Sequence, residues 1–248
     1  MLLQVWQGKA LRWSLGIHPS VLAGRRIGAL LRRGKYLWMP LETASSSGEI
    51  RAETSPGLLL HLGMSGSLRV LPAGHPPEKH DHVDLCFGER LLRLRDPRRF
   101  GLMLWHTGAD ETHPLLADLG VEPLSDAFDG AWLHRASRGR ATPVKLFLMD
   151  GHQVVGVGNI YASESLFRAG IDPTTPVGSL GPRRCARLVA CIRDTLGDAL
   201  AAGGSSLRDF VGASGQPGYF QQQYFVYGRD GEACRHCATR VRKRIVGQ

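Results

Sequence analysis

Apolar and polar positions change their spacing about halfway along this chain. Up to about residue 120 the apolar residues come in short runs rich in β-formers: Lys35–Met39, Leu58–Leu62, Leu68–Leu71, His82–Phe87, Leu91–Arg95 and Gly101–Trp105. Turn signals separate them at Gly63, Gly66, Pro72-Ala73-Gly74, Gly88-Glu89-Arg90 and Asp96-Pro97. Strands at this spacing predict a sandwich or barrel. Leu41–Pro56 is expected to be an irregular insertion, because Thr43-Ala44-Ser45-Ser46-Ser47-Gly48 has the composition of a flexible loop.

Beyond Leu115 the period becomes helical. Pro123–Asp126 reads as a linker and helix start, with Ser125 or Asp126 as N-cap. Pro143–Ile171 predicts helix, glycine-punctuated turn, helix, with a polar tip at Gly156-Val157-Gly158-Asn159. Both glycines permit positive φ. After them Ile160, Ala162, Leu166 and Phe167 keep a helical spacing, with Glu164 and Arg168 between. Exposed N–H groups at such a helix start favour an anion. Arg183–Ala202 predicts a long amphipathic helix with Pro182 in its first turn and Gly203-Gly204 at its end. Cys185 and Cys191 lie on it as packing residues. Ser205-Ser206 is expected to cap a short helix, Leu207–Val211. The expected division is 1–121, 122–214 and 215–248.

Composition adds a partner. The chain has 31 Lys+Arg against 22 Asp+Glu, a net charge of +9, which favours polyanions. Neither a membrane span nor a secretory signal is expected, since no run is long and apolar enough for a span and Met1-Leu2-Leu3-Gln4 lacks a basic segment and a long apolar core. Five scattered cysteines make no disulfide framework. A reducing, cytoplasmic location is expected.

Candidate chemistry sits in two places. Cys234-Arg235-His236-Cys237 has the knuckle spacing of a zinc ribbon, which needs a second pair, yet no Cys or His follows Cys237. His236 as a third ligand, or two unligated thiols, are the alternatives. In the β region Met64 and Phe100 are large apolar residues at tight turns, beside Arg98. DNA-kinking proteins insert such wedges beside arginines, and enzymes that extrude a base must fill the gap. Met64 also reads as an ordinary strand-end core residue. His80 and His82 suggest a metal pair, against which Asp81 and Asp84 suit turn hydrogen bonds.

The segments HLGMSGSLRV (61–70), PPEKHDHVDL (76–85), RDPRRFG (95–101), VVGVGNIYASESLFRAGI (154–171), GGSSLRDFV (203–211), PGYFQQQ (217–223) and YGRDGEAC (227–234) together resemble the bacterial formamidopyrimidine-DNA glycosylases of the formamidopyrimidine/endonuclease VIII family. The match is collinear from about Leu11 to Gln248. It implies a base-excision repair enzyme that removes oxidised purines, such as 8-oxoguanine and formamidopyrimidines, and then cleaves the abasic site. The implied fold is α+β with two domains. An N-terminal β-sandwich with helices joins a helical domain that carries a helix–two-turn–helix and a zinc-finger hairpin.

The resemblance also assigns roles. Lys35 matches the lysine near the scissile phosphate, also a proton donor in β-elimination. Met64, Arg98 and Phe100 match the intercalating triad, with Arg98 facing the orphaned cytosine. His80, Arg98 and Arg140 match DNA contacts, and Lys145 and Asn159 a phosphate clamp. Gly215, Gln216, Pro217, Gly218, Tyr219 and Phe220 fall in the loop covering the flipped base, with the composition of a mobile lid or an ordered turn. Cys234 and Cys237 match zinc ligands. The implied partner is damaged double-stranded DNA, bound by a monomer, and the implied location is the bacterial cytoplasm, in association with the nucleoid. The purine preference rests on the 64/98/100 triad and the Pro-Gly-Tyr-Phe segment.

The family's nucleophile is an N-terminal proline with a glutamate beside it. This chain starts Met1-Leu2-Leu3-Gln4-Val5-Trp6, Leu11-Arg12-Trp13 matches the family after its first helix and strand, and Pro19 is internal. The family also continues past the position of Gln248, into an arginine and the second Cys pair. The expectation is a sequence shortened at both ends. The sandwich then lacks its first strand and helix, the zinc-finger hairpin is incomplete, and Gly228–Gln248 is poorly ordered. Lys35 is the internal nucleophile candidate. A non-catalytic damaged-DNA-binding protein or inactive fragment is the alternative function.

Overall fold

The computed structural model describes residues 1, 4–8, 11, 13, 15–43, 55–108, 112–204 and 218–247. These fall into two compact units, one holding the chain up to Ala117, the other running from Asp118 through the helices and taking up the tail from Tyr219. Strands are confined to the first unit and the longer helices to the second, so the protein is α+β.

The first unit has nine described strands: β1 (Gln4–Gln7), β2 (Arg25–Ile27), β3 (Leu31–Arg33), β4 (Tyr36–Thr43), β5 (Gly57–His61), β6 (Ser67–Pro72), β7 (Asp81–Phe87), β8 (Arg90–Arg95) and β9 (Leu102–His106). One sheet is ordered β1-β7-β8-β6. The other is ordered β2-β4-β5-β9, with β3 also paired to β4. Alternate residues from both sheets meet in one buried cluster: Met39 and Leu41 of β4, Leu58 and Leu60 of β5, Met103 of β9, Val83 and Leu85 of β7, and Leu94 of β8. This is the period-2 burial of a sheet with one face on a core. The six apolar runs all became strands. β2 and β3 were not legible because they are short and carry exposed arginines. They exist through backbone pairing of Arg25–Ile27 to Leu41–Thr43 and of Leu31–Arg33 to Tyr36–Trp38.

One expectation is corrected at the N-terminus. A strand does precede Leu11: β1 pairs Gln4–Gln7 with Val83–Cys86 of β7. A free sheet edge takes a partner through its backbone N–H and C=O groups, whatever the side chains.

The second unit packs α2 (Gly130–Ser137), α3 (Val144–Met149), α4 (Asn159–Arg168) and α5 (Pro182–Ala201); the single turn α1 (Pro114–Ala117) belongs to the first unit. Their core holds Phe128, Leu133, Phe147, Leu148, Leu166, Cys185, Leu188 and Ile192 among others. Burial raises the thiol pKa of Cys185 and Cys191, as suits packing residues. The cap of α2 is Asp129, whose carboxylate accepts the Trp132 N–H at 2.6 Å. Ser125 instead donates to the Glu122 carbonyl at 2.9 Å, so the expected helix start came a few residues early. Leu207–Val211 lies outside the described residues. No described helix is long and apolar enough to cross a membrane.

The four-stranded sheet buries an ion cluster. Arg93 of β8 is 2% exposed and donates to both Asp84 carboxylate oxygens at 2.8 and 2.7 Å, and to the carbonyls of His75 and Pro76. Asp81 lies 3.1 Å away, and itself accepts the Glu78 N–H at 2.7 Å. Asp84 therefore serves an ion pair rather than a turn, while Asp81 does both. The carboxylates, led by the Asp84 hydrogen bond, raise the Arg93 pKa. Breaking a buried pair strands the remaining charge. Arg93→Met is expected to destabilise this unit by about 3–5 kcal/mol, read from urea unfolding followed by tryptophan fluorescence, which in the first unit reports Trp6, Trp13, Trp38 and Trp105.

Candidate nucleic-acid interface

In the first unit the site is built around Asp96, which is fully buried. One carboxylate oxygen accepts the Ser65 hydroxyl at 2.6 Å and the Arg98 N–H at 3.3 Å; the other accepts the Gly101 N–H at 2.7 Å. The Asp96 carbonyl contacts the His82 ring nitrogen at 2.9 Å, and its N–H donates to the His80 carbonyl. Three segments, 63–66, 80–82 and 96–101, are thus tied to one residue. Packing reinforces the tie. Gly63 has φ +63, and a Cβ there would meet the Phe100 carbonyl carbon at 2.7 Å. Arg99 takes φ +59 without being glycine, a strained turn held by its surroundings.

This frame holds large side chains out in solvent. Met64 is 71% and Phe100 43% exposed, and the Arg98 guanidinium lies 5.0 Å from the Phe100 ring centroid. The strand-end core reading of Met64 is therefore overturned. His80 is half-buried beside them, and His82 is buried on the Asp96 carbonyl. Among the described residues no group of three or more His, Cys, Asp or Glu could hold a metal, so the two histidines form no such site.

Lys35 is at the tip of the β3–β4 hairpin, after Gly34 at φ +58, the positive φ a two-residue turn demands. Its side chain reaches solvent, but the protein crowded around it lowers the ammonium pKa. His61 packs on Tyr36 with ring centroids 4.8 Å apart and planes tilted by 45°, and accepts the Gly63 N–H on Nδ1 at 2.9 Å. Desolvation, then the Lys35 charge, lowers the His61 pKa. Through the 61–63 segment, Lys35 and the Met64 loop share a strand end.

In the second unit α4 starts behind Gly158, with no side-chain cap on its first N–H groups. Of the two glycines only Gly156 uses positive φ, at +78; Gly158 is extended, with ψ −176. Asn159 is the first residue of α4 and donates to the Tyr227 hydroxyl at 3.4 Å. Lys145, with a pKa lowered by desolvation, lines the same cavity as Asn159. That cavity of about 600 Å³ also touches Tyr227, Cys234, Cys237 and the basic run Arg240–Arg244. Arg140 is exposed after α2, its guanidinium 5.5 Å from the Phe147 ring.

Glu164 was passed over as a polar residue between apolar ones. It is 1% exposed, and its carboxylate accepts three successive backbone N–H groups, Phe225 at 2.8 Å, Val226 at 3.0 Å and Tyr227 at 2.8 Å. It lashes the tail to α4 and so sets Tyr227 against Asn159. The available signal was its place four residues after Ile160, on the buried stripe. Asp96 had a comparable signal: an acid before proline, between a strand and an arginine-rich turn.

Gly215, Gln216 and Pro217 lie outside the described residues. Tyr219 is exposed, but Phe220 is fully buried against Ala199, Tyr161 and Tyr224. Phe220 is therefore an anchor of the helical unit rather than part of a mobile segment. The knuckle is formed: Ala238 N–H donates to the Cys234 carbonyl, His236 N–H to its sulfur at 3.4 Å, and Ala233 bridges to Arg240. Hydrogen bonds with Thr239 hold the Cys237 thiol below its ordinary pKa. The His236 ring instead packs on Phe167 and Phe225. Residues 228–247 are thus placed, against the expectation of poor order. Two thiols fit two corners of a tetrahedral zinc site. The described residues supply no third ligand.

Known proteins resemble the whole arrangement. Residues 3–103 match the family described as Formamidopyrimidine-DNA glycosylase N-terminal domain, and residues 119–211 the Formamidopyrimidine-DNA glycosylase H2TH domain. A formamidopyrimidine-DNA glycosylase of Aromatoleum aromaticum is 60% identical over 229 residues, covering 92% of this chain and 80% of that protein. One of Bordetella petrii is 54% identical, covering 96% and 84%. Among solved structures, the MutM (Fpg) protein of Thermus thermophilus is 38% identical with a TM-score of 0.83, covering 99% of this chain and 86% of that one. The Lactococcus lactis Fpg in complex with abasic-site DNA is 28% identical with a TM-score of 0.85, covering 100% and 88%.

Two outcomes are expected from this geometry. Asp96→Asn turns an amide donor toward a backbone donor and should cost about 1–3 kcal/mol, with increased hydrogen exchange at the Arg98 and Gly101 amides. His61 and His113 both have lowered folded-state pKa values, His113 through burial and then His106. Protons therefore bind the unfolded chain more readily, and stability should fall as pH drops below about 6.5, the unfolded histidine value. A His61→Gln/His113→Gln double variant should flatten that slope in denaturation midpoints between about pH 7 and 5.

Proposed function

The chain belongs to the formamidopyrimidine-DNA glycosylase family, and from that membership and the rigidly held Met64–Arg98–Phe100 cluster we propose how it acts on DNA. It is a DNA glycosylase of base-excision repair, and its partner is damaged double-stranded DNA. Relatives named for glycosylase activity at up to 60% identity favour the enzyme over a non-catalytic binder. The proposed substrates are oxidised purines, 8-oxoguanine and formamidopyrimidine, with cleavage of the abasic site following excision.

A glycosylase must take its target nucleotide out of the stack, at a cost of a few kcal/mol. Met64 and Phe100 would fill the vacated space, and Arg98 would donate to the acceptors of the unpaired cytosine. What supports this is their exposure on loops that Asp96 holds rigid. A wedge on a floppy loop would lose its insertion energy to ordering. His80 and Arg140 would contact the backbone flanking the lesion.

Lys35 would sit by the scissile phosphate. Its depressed pKa makes the ammonium a readier proton donor in elimination. Lys145, Asn159 and the uncapped start of α4 would grip phosphates, the lysine as a point charge and the helix through its N–H groups. The 215–220 segment would cover the flipped base, with Phe220 as its fixed end. The proposed division of labour is a catalytic-type β domain over 1–121, a DNA-binding helical domain over 122–214 and the covering loop and knuckle over 215–248. Zinc, where bound, would be held through Cys234 and Cys237 and would brace the knuckle; no chemical step passes through it.

The test uses duplexes with 8-oxoguanine opposite cytosine. The protein should excise that base and leave the undamaged duplex intact. Arg98→Ala should lower excision by at least tenfold. Lys145→Ala should weaken binding to damaged and undamaged duplex alike and reduce the slope of log affinity against log salt by about 0.9. Excision that ignores the lesion, or binding insensitive to salt, would sink the reading.

A further inference from the structure

Two stretches of the helical unit contain no acidic residue. Between Gly130 and Met149 the Lys and Arg residues are Arg135, Arg138, Arg140 and Lys145; between Pro173 and Arg193 they are Arg183, Arg184, Arg187 and Arg193. The fold lays the two stretches together. Gly130 of α2 has no room for a Cβ, which would meet the Ala186 Cα of α5 at 2.7 Å. Past the end of α2, the Arg140 carbonyl accepts the Gly178 N–H at 3.0 Å and the Thr142 carbonyl that of Val177 at 2.9 Å. The short turn Val177–Ser179 then leads through Leu180 and Gly181 into α5. The arginines after α2 and those at the start of α5 therefore share one end of the helix pair.

Among the described residues this end is charged without compensation. Arg135, Arg138, Arg140, Arg183 and Arg187 are exposed and Arg184 is half-buried. The ion pairs among the described residues of this unit lie elsewhere, at Arg168–Asp198, Arg229–Glu232 and Arg244–Asp172. The charges of α5 also oppose its dipole. Arg183 and Arg184 occupy the first turn, which has no acidic residue and no side-chain cap, while Asp194 and Asp198 sit in the C-terminal half. Helix stability favours the reverse. No large apolar side chain is exposed over 130–142 or 177–190, so nothing here can enter a base stack.

We infer that the arginine end of α2 and α5, residues Arg135, Arg138, Arg183, Arg184 and Arg187 beside Arg140, is a second contact surface for the DNA backbone, one that grips duplex phosphates independently of sequence and lesion. Guanidinium forks match phosphate oxygens in pairs, and a surface with charge but no wedge holds DNA without reading it. The inference rests on the DNA-binding reading given above.

The test compares binding of the full chain to an 8-oxoguanine duplex and to the same duplex undamaged across a salt series. The variant Arg183→Gln/Arg184→Gln/Arg187→Gln should bind both duplexes more weakly by the same factor, with the log–log salt slope reduced by about 2 to 3. The matching triple Lys variant should keep the wild-type slope, since it keeps the charge. Circular dichroism checks the fold. If the Gln variant does not fold, Arg135→Gln/Arg138→Gln replaces it, with an expected reduction of about 1 to 2. A wild type that binds the lesion while the Gln variant keeps its slope overturns this inference and leaves the glycosylase reading intact. So does a loss confined to the damaged duplex. A wild type that binds neither duplex overturns both.

Discussion

Everything around the exposed wedge depends on one buried carboxylate. Asp96 is shut away from water, and an ion so placed is tolerated only where hydrogen bonds replace its hydration. The replacements come from Ser65, Arg98 and Gly101, residues of the loops that must stay fixed if Met64 and Phe100 are to stand in solvent. Glu164 does the same in the helical unit. Its three bonds to successive amides of 225–227 join the tail's aromatic contacts in making a fixed wall beside Asn159. Each unit thus uses a buried acid to give loop backbone the rigidity that strands and helices get from their own hydrogen bonds.

That arrangement explains how the surface can break ordinary rules. Exposed methionine and phenylalanine at tight turns, a non-glycine residue at positive φ and a lysine with a lowered pKa each cost stability. They persist because the neighbouring structure leaves them no alternative conformation. Met64, Arg99 and Phe100 lie in the 61–66 and 95–101 segments and Lys35 at the hairpin tip beside the first of these, where the first unit meets its partner in the proposed reaction, and not along the sheet faces.

How far the sequence could be read follows from the same physics. Strands with an apolar face announced themselves, since β4, β5, β7, β8 and β9 bury alternate residues in one core. β2 and β3 did not, being three-residue strands that carry arginines and pair through their backbone with β4. The long helix and the Gly-tipped turn were legible from spacing; which of the two glycines uses positive φ was not, because an extended residue at a helix start leaves the same glycine signal as a left-handed one. Met64, Arg98 and Phe100 could be named, but their exposure could not, because a wedge and a strand-end core residue have the same local sequence. The roles of Asp96 and Glu164 lay furthest from view. Their partners are up to 31 and 63 positions away, and only the fold brings such groups together.

The charge of +9 divides along similar lines. One set of arginines works inward: Arg93 joins Asp84 and Asp81, Arg95 joins Glu78 and Asp81, Arg168 joins Asp198, and Arg229 joins Glu232. These neutralise one another and contribute little field at a distance. The other set, at Arg98, Arg135, Arg138, Arg140 and the start of α5, has no carboxylate partner among the described residues. Field reaching beyond a Debye length of about 8 Å is screened, so what matters to a polyanion is where the unpaired guanidinium groups lie, not the total. Pairing some arginines inside and leaving others bare converts a diffuse excess of charge into defined contact surfaces. The placing of acidic residues, more than that of basic ones, therefore decides where DNA can be held.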